Sequence, residues 1–203
     1  MNKAAGVPSP PEAGRRVLVL GGARSGKSLF AESLAAEALA AGSLAAEGLA
    51  VAEPAVTYVA TSTVGGEDPE WERRVAAHRS RRPSAWGTIE TLDLAATLRD
   101  AEGALVVDSL TAWLTGVIER AGAWDASTGA TATVSHAMER LVEAWRATRA
   151  RVVVVSDEVG LGVVPATPSA RLFRDELGTL NQRMAAAADA VWFVVAGIPM
   201  RLR

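Results

Sequence analysis

Short β-branched runs alternate along this chain with longer stretches of helical periodicity. The first run, Arg16-Val17-Leu18-Val19-Leu20, ends at a glycine, as a buried parallel strand does. From Ser28 to Ala41 the sequence is rich in Ala, Leu and Glu, with Phe30, Leu34 and Ala38 on one helical face. SLAAEALA (33–40) nearly recurs as SLAAEGLA (43–50); two such copies make no solenoid and read as a helical extension. Val56–Ala60 is a second strand. Asp68-Pro69-Glu70 predicts a helix start, capped by Asp with Pro in the first turn, and Pro83 closes that helix after about Ser80.

A short strand at Thr88–Glu90 and a helix over 92–100 come next, then Ala104-Leu105-Val106-Val107-Asp108, a strand ending in a carboxylate. Helices are predicted over 109–120 and 133–149, separated by a polar loop at 125–131. A strand over 152–156, a helix opened by Thr167-Pro168 and reaching Ala187, a strand over 191–196 and a last short one at 201–203 complete the pattern. Strands alternating with helices specify a mostly parallel sheet covered on both faces, an α/β fold. We expect a single P-loop domain of the RecA-like kind over 16–203, behind a disordered tail at 1–15.

Composition narrows the function. A chain of 203 residues, 49% hydrophobic, suits one domain with a full core, and a net charge of −2 advertises no nucleic acid. The absence of cysteine excludes disulfides and thiolate chemistry and fits a reducing cytoplasm. No apolar run approaches the roughly 20 residues of a membrane span. The opening MNKAAGVPSPPEAGRR has prolines where a signal peptide would be apolar.

The sharpest motif is Gly21-Gly22-Ala23-Arg24-Ser25-Gly26-Lys27-Ser28, which satisfies G-x-x-x-x-G-K-[ST] between a strand and a helix. Glycines let the backbone curl so that N–H groups converge on phosphate oxygens, and the helix adds its unsatisfied N-terminal donors. Lys27 would bridge the outer phosphates and Ser28 would ligate Mg²⁺. Asp108 is either the Mg²⁺ carboxylate of such a site or an ordinary cap for the helix at Ser109.

Of the two histidines, His136 lies in a helical stretch without recognisable partners. His78 is followed by Arg79, Ser80, Arg81, Arg82 and Pro83. Such a cluster is either a solvated helix end complementing the dipole or a nucleophile on phosphorus. In the second case the guanidinium groups keep the imidazole neutral and hold phosphate oxygens.

With these blocks in view the chain resembles the bifunctional adenosylcobinamide kinase/adenosylcobinamide-phosphate guanylyltransferases of cobalamin biosynthesis. The likeness rests on LVLGGARSGKS (18–28), YVATS (58–62), HRSRRPSAWGTIE (78–90), VVDSLTAWLT (106–115), SDEVGLGVVP (156–165) and FRDELGTLNQRMAAAADAVWFVVAGIP (173–199), in that order. The resemblance implies that Gly21–Ser28 bind the triphosphate of GTP, with Thr61, Ser62 and Thr63 lining the same site. It implies that His78 becomes guanylylated and that Arg79–Arg82 and Glu90 contact the nucleotide. ATP or GTP would phosphorylate adenosylcobinamide, and GMP would then pass through His78 to the cobinamide phosphate. It also implies a homotrimer. Three features depart from the family pattern: a Gly65-Gly66 insertion, Asp157 where asparagine is usual, and the longer 33–50 repeat. Two rival readings are a guanylyltransferase without the kinase step and a non-catalytic nucleotide-binding module, which would leave the His78 block without purpose.

Overall fold

The computed structural model describes residues 14–45, 56–61, 82–125 and 128–203, and of 38–45 and 128 the backbone alone. The helix expected over 68–80, Trp71, the Gly65-Gly66 insertion and the first 13 residues of the tail lie outside the described residues. Arg15, at the end of that tail, is tied down: its N–H donates to Asp189 Oδ2 at 3.0 Å.

Seven strands form one sheet among the described residues: β1 (Arg16–Gly21), β2 (Val56–Ala60), β3 (Gly87–Glu90), β4 (Ala104–Asp108), β5 (Arg151–Asp157), β6 (Ala190–Val195) and β7 (Ile198–Arg201), in the order β3-β2-β4-β5-β1-β6-β7. Every pairing is parallel except that of β6 with β7. The helices are α1 (Lys27–Ala45), α2 (Leu94–Asp100), α3 (Leu110–Ala121), α4 (Thr128–Ala147) and α5 (Pro168–Ala187).

Alternation along the strands divides the core in two. Val17 and Val19 of β1, Tyr58, Val106, Val153 and Trp192 pack against Phe30, Ala31 and Leu34 of α1. Leu18, Val59, Val107, Val154 and Val191 face the other way, onto residues of the other four helices. Two buried tryptophans on that side satisfy their indole N–H groups, Trp113 by donating to the Leu92 carbonyl at 2.8 Å and Trp145 to that of Met184 at 3.1 Å. His136, on α4, is exposed, with Nδ1 3.3 Å from Glu139 Oε2, a surface role.

Three boundaries differ from the sequence expectation. The polar loop over 125–131 gives way to α4 at Thr128; the first turns are small and polar, and a helix needs its apolar stripe only where it meets the core. α1 runs to Ala45 and absorbs the first part of the repeat. The last strand is Ile198–Arg201 rather than 201–203, because Ala196 (φ 51°) and Gly197 (φ 78°) make a two-residue hairpin immediately after β6. Two positive φ values suit the strand twist, but Ala-Gly is a weak advertisement for such a turn.

Parallel register sets one rim of the sheet. Gly21 pairs with Asp157 and Val194, and Asp108 pairs with Ala60 and Val155. Gly21, Thr61, Glu90, Asp108 and Asp157 therefore all stand at the carboxyl ends of their strands, where open α/β sheets bind ligands.

Candidate active site

Residues 21–26 carry the chain from β1 onto α1 in a tightly curled loop. A Cβ on Gly21 would lie 2.5 Å from Ser25 Oγ and 2.7 Å from the Val194 carbonyl oxygen, so only glycine fits. Gly26 takes φ 94° without strain, and Arg24 holds φ 56° at the exposed tip beside Ala23. The Ser25 N–H turns back to the Gly22 carbonyl at 3.2 Å. Two neighbours brace the loop from outside. The Glu158 N–H donates to the Gly21 carbonyl at 3.1 Å, and the Gly197 N–H, in the β6–β7 hairpin, donates to the Ser25 carbonyl at 2.8 Å. A side chain on Gly26 would meet the Gly197 backbone at 3.3 Å. Ser28 lies half-buried in the first turn of α1.

Lys27 opens α1 and folds back over the loop. Its Nζ donates to the Gly22 carbonyl at 3.2 Å and pairs with Asp157 Oδ1 at 2.5 Å. Asp157 is itself clamped through its backbone: its N–H donates to Thr111 Oγ1 at 2.9 Å, and its carbonyl accepts from Asn181 Nδ2 at 3.0 Å. The sequence flagged Asp157 only as a departure from a family pattern; its contact with the loop lysine was not legible. Nor was the bracing by Gly197; a polar Asn181 among buried Leu177, Leu180 and Met184 does signal that something polar lies opposite, and that group is the Asp157 carbonyl.

Asp108 stands one strand further on. The cap of α3 is Ser109, whose Oγ accepts from the Ala112 N–H at 3.2 Å, so the fold does not use Asp108 as a cap. Tyr58 donates its phenol to Asp108 Oδ2 at 2.9 Å. Burial first, and then the Asp108 charge, push the Tyr58 phenol far above its ordinary range, so it remains a donor. Thr61 is fully buried, donating to the Ser109 carbonyl at 2.6 Å and accepting from the Ser109 N–H at 3.0 Å. Its hydroxyl thereby fixes the turn after Asp108. The Asp108–Ser109 peptide is cis.

Arg82 packs into the wall beside this carboxylate. Its guanidinium carbon lies 3.2 Å from the Tyr58 ring centroid, Nε lies 4.0 Å from Glu32 Oε1 of α1, and Nη1 donates to Thr88 Oγ1 at 3.5 Å. Glu90 ends β3 on the same rim but four strands from β1, roughly 19 Å at about 4.8 Å per strand. The structure thus sets Gly21–Ser28 and Asp108 on one rim, two strands apart, ties Thr61 to the turn after Asp108 three strands from β1, and leaves Glu90 at the greatest distance. Ser62, Thr63, His78, Arg79, Ser80 and Arg81 lie outside the described residues.

This donor set suits Mg²⁺. The ion takes hard oxygen ligands and keeps much of its shell as water and phosphate, needing one or two protein groups. A hydroxyl at the loop and a strand-end carboxylate not used as a cap meet that need. Among the described residues no cluster of three His, Cys, Asp or Glu offers a closed metal cage. No described helix is long and apolar enough to cross a membrane.

Comparison with known proteins places this geometry. Residues 17–202 match the family model described as cobinamide kinase / cobinamide phosphate guanyltransferase. The chain is 43% identical over 192 residues to the bifunctional adenosylcobalamin biosynthesis protein CobP of Pseudomonas aeruginosa, covering 93% of this chain and 97% of the relative. It is 36% identical over 197 residues to the bifunctional adenosylcobalamin biosynthesis protein CobU of Salmonella typhimurium, covering 92% and 99%. Among solved structures, an ATPase from the type III secretion system of pathogenic bacteria superposes with a TM-score of 0.50 at 13% identity, over 89% of this chain and 51% of that longer one. That likeness is one of fold alone.

Proposed function

The chain belongs to the cobinamide kinase / cobinamide phosphate guanyltransferase family, and from that premise we propose how its residues divide two reactions at phosphorus. The enzyme is bifunctional: it phosphorylates cobinamide and transfers a guanylyl group to the product. The observation carrying the assignment of residues is the tightly curled loop 21–26 with Lys27 folded over it, on the carboxyl rim that Asp108 shares.

In the kinase step the outer phosphates of ATP or GTP lie in this loop. The aminopropanol hydroxyl of adenosylcobinamide attacks the γ-phosphorus, the bond to the β-phosphate oxygen breaks, and a nucleoside diphosphate leaves. Lys27 and the N–H groups at the start of α1 carry the charge that gathers on the transferring oxygens. Ser28 and Asp108 would hold Mg²⁺, which neutralises phosphate charge when bound. In the second reaction His78 attacks the α-phosphorus of GTP, expelling pyrophosphate and forming a guanylyl-histidine. A phosphate oxygen of adenosylcobinamide phosphate then takes the GMP, giving adenosyl-GDP-cobinamide and regenerating the imidazole. Arg79, Ser80, Arg81, Arg82 and Glu90 serve this nucleotide, as do Ser62 and Thr63, while the buried Thr61 acts indirectly by fixing the turn after Asp108. In Arg82 the role is indirect, its head packed on Tyr58 beside Asp108. A cytoplasmic homotrimer is the working form, with 1–15 as a tail and 16–203 as the enzyme. The absence of cysteine fits a reducing compartment.

GTP labelled at the α-phosphate and incubated with the full chain and Mg²⁺, without corrinoid, tests this reading. We expect an adduct stable to alkali, labile to acid, located at His78 by peptide mass analysis, with release of pyrophosphate. His78→Ala abolishes it and retains GTP binding; His136→Ala labels normally. A full-strength adduct on His78→Ala protein overturns the assignment.

A further inference from the structure

We propose that Asp157 is a resident counter-ion of the phosphate loop: it holds the Lys27 ammonium in the nucleotide-free enzyme and yields it to the outer phosphates of the incoming triphosphate. The inference rests on the phosphate-loop reading above and adds the residue that sets how strongly the loop binds. Three observations carry it. The Lys27 side chain is only 11% exposed, and its Nζ lies 2.5 Å from Asp157 Oδ1, so the charge that phosphate must take is already neutralised. Asp157 cannot drift away, because Thr111 on α3 and Asn181 on α5 grip its backbone from either side, and its Cα pairs in register with Gly21, the first loop residue. The loop itself is braced by Glu158 and Gly197, so the pair must break by side-chain rotation rather than by a shift of the loop.

The chemistry follows from the acceptor. Lys27 has three donors and no acceptor; one goes to the Gly22 carbonyl and one to Asp157. A phosphate approaching Lys27 meets an ammonium whose charge is matched and a carboxylate of its own sign beside it. Binding therefore exchanges one charge-assisted contact for another, and the net gain is smaller than for a lysine facing a neutral acceptor. An asparagine at 157, the residue usual in the resembling family, would fill the same volume without competing for the charge. The exchange also has a stability side. Without a carboxylate, a mostly buried lysine in the empty loop is left short of a counter-charge, a penalty that bound triphosphate removes.

The test is Asp157→Asn in the full chain, with GTP and GMP affinities measured by calorimetry in the presence of a chelator. We expect GTP to bind roughly tenfold more tightly than to the parent, the scale of a charge-assisted hydrogen bond, with GMP unchanged because Lys27 serves the outer phosphates. Thermal unfolding supplies a second readout. The variant melts below the parent when free of nucleotide, and the gap closes when both are saturated with GTP. Equal or weaker GTP binding overturns the proposal. So does equal tightening of GMP and GTP, or a melting gap that persists in the GTP complex, since each marks Asp157 as a structural residue only. Asp157→Ser provides the same comparison with a shorter neutral side chain if the amide variant folds poorly. Lys27→Ala, run in parallel, keeps the two readings apart: undiminished GTP binding by that variant refutes the phosphate loop itself, whereas its loss together with an inert Asp157→Asn refutes only the counter-ion.

Discussion

The two rims of the parallel sheet use charge in opposite ways. At the amino rim, where β1 and β6 begin, Asp189 Oδ2 accepts from the Arg15 N–H at 3.0 Å and the Arg16 N–H at 2.8 Å, while Arg16 Nη2 reaches Oδ1 at 2.9 Å. Arg16 Nη1 goes on to the Arg146 carbonyl at the end of α4, at 3.0 Å. Main chain and side chain converge on one carboxylate, and the bonds join three elements. At the carboxyl rim, Asp157 holds Lys27 by one oxygen, and Asp108 takes a bond from Tyr58. A charge whose partners include the main chain at the start of a strand belongs to the fold. A charge held by the lysine that opens a helix, folded over a glycine-rich loop, can be traded for a ligand.

Lys27→Ala should break the carboxyl rim most completely. Removing the only lysine of the phosphate loop takes away the charge on the outer phosphates, and GTP binding should weaken by roughly two orders of magnitude or more. The side chain lies over the loop and not in the apolar core, so truncation opens no cavity and the circular dichroism spectrum should remain native. Unchanged GTP affinity in a folded variant would show that the rim's charges are as fixed as those at the other end.

The sequence displayed the two rims unequally. The strand–loop–helix frame around Gly21–Ser28 was legible because local geometry demands glycine at two of its positions: Gly21 is closed to any side chain and Gly26 takes a positive φ. Strand order and register were not written in any one segment. They decide that Asp157, 130 positions beyond Lys27, comes to rest against it. The hairpin at Ala196-Gly197 escaped notice because alanine rarely takes a positive φ, yet that turn supplies the N–H that steadies Ser25. The cap reading of Asp108 fell only when Ser109 proved to cap its own helix. Asp189 followed the alanine-rich end of a helix and gave no sign of the three-element knot it ties.

Asp108→Asn sharpens the comparison within the carboxyl rim. The amide oxygen can still accept the Tyr58 phenol, so the wall with Arg82 should survive and thermal stability should barely change. What is lost is negative charge toward the cation. The Mg²⁺ concentration for half-maximal activity should rise about tenfold in the kinase reaction. Superimposable Mg²⁺ titrations of variant and parent would leave Asp108 as a partner of Tyr58 alone.

Asp189→Asn should have the smallest effect, and an effect of the other kind. The hydrogen bond from the Arg16 side chain is the largest influence on the Asp189 carboxyl; burial opposes it, and the Arg16 and Arg15 backbone donors with the Arg16 charge leave the carboxyl below its ordinary value. A carboxyl with a depressed folded pKa contributes stability that is fully present above its unfolded value of about 3.9 and is lost as pH falls through the folded value. Asparagine keeps one acceptor oxygen but turns an N–H₂ toward a guanidinium that can only donate. The Asp189 side chain is 32% exposed, so water screens part of the exchange, and the loss at neutral pH should be no more than about 1 kcal/mol. Urea unfolding of parent and variant across pH 2 to 7 reads the sign: the curves should be separated at neutral pH, begin to approach as pH falls past about 3.9, and converge through the lower folded value as the parent carboxyl takes up its proton. GTP affinity should be the same for both proteins, because the knot lies at the opposite end of β1 from the phosphate loop. A separation that grows toward acid, or a change in GTP binding, would mean that the amino rim is not the inert counterpart of the carboxyl one.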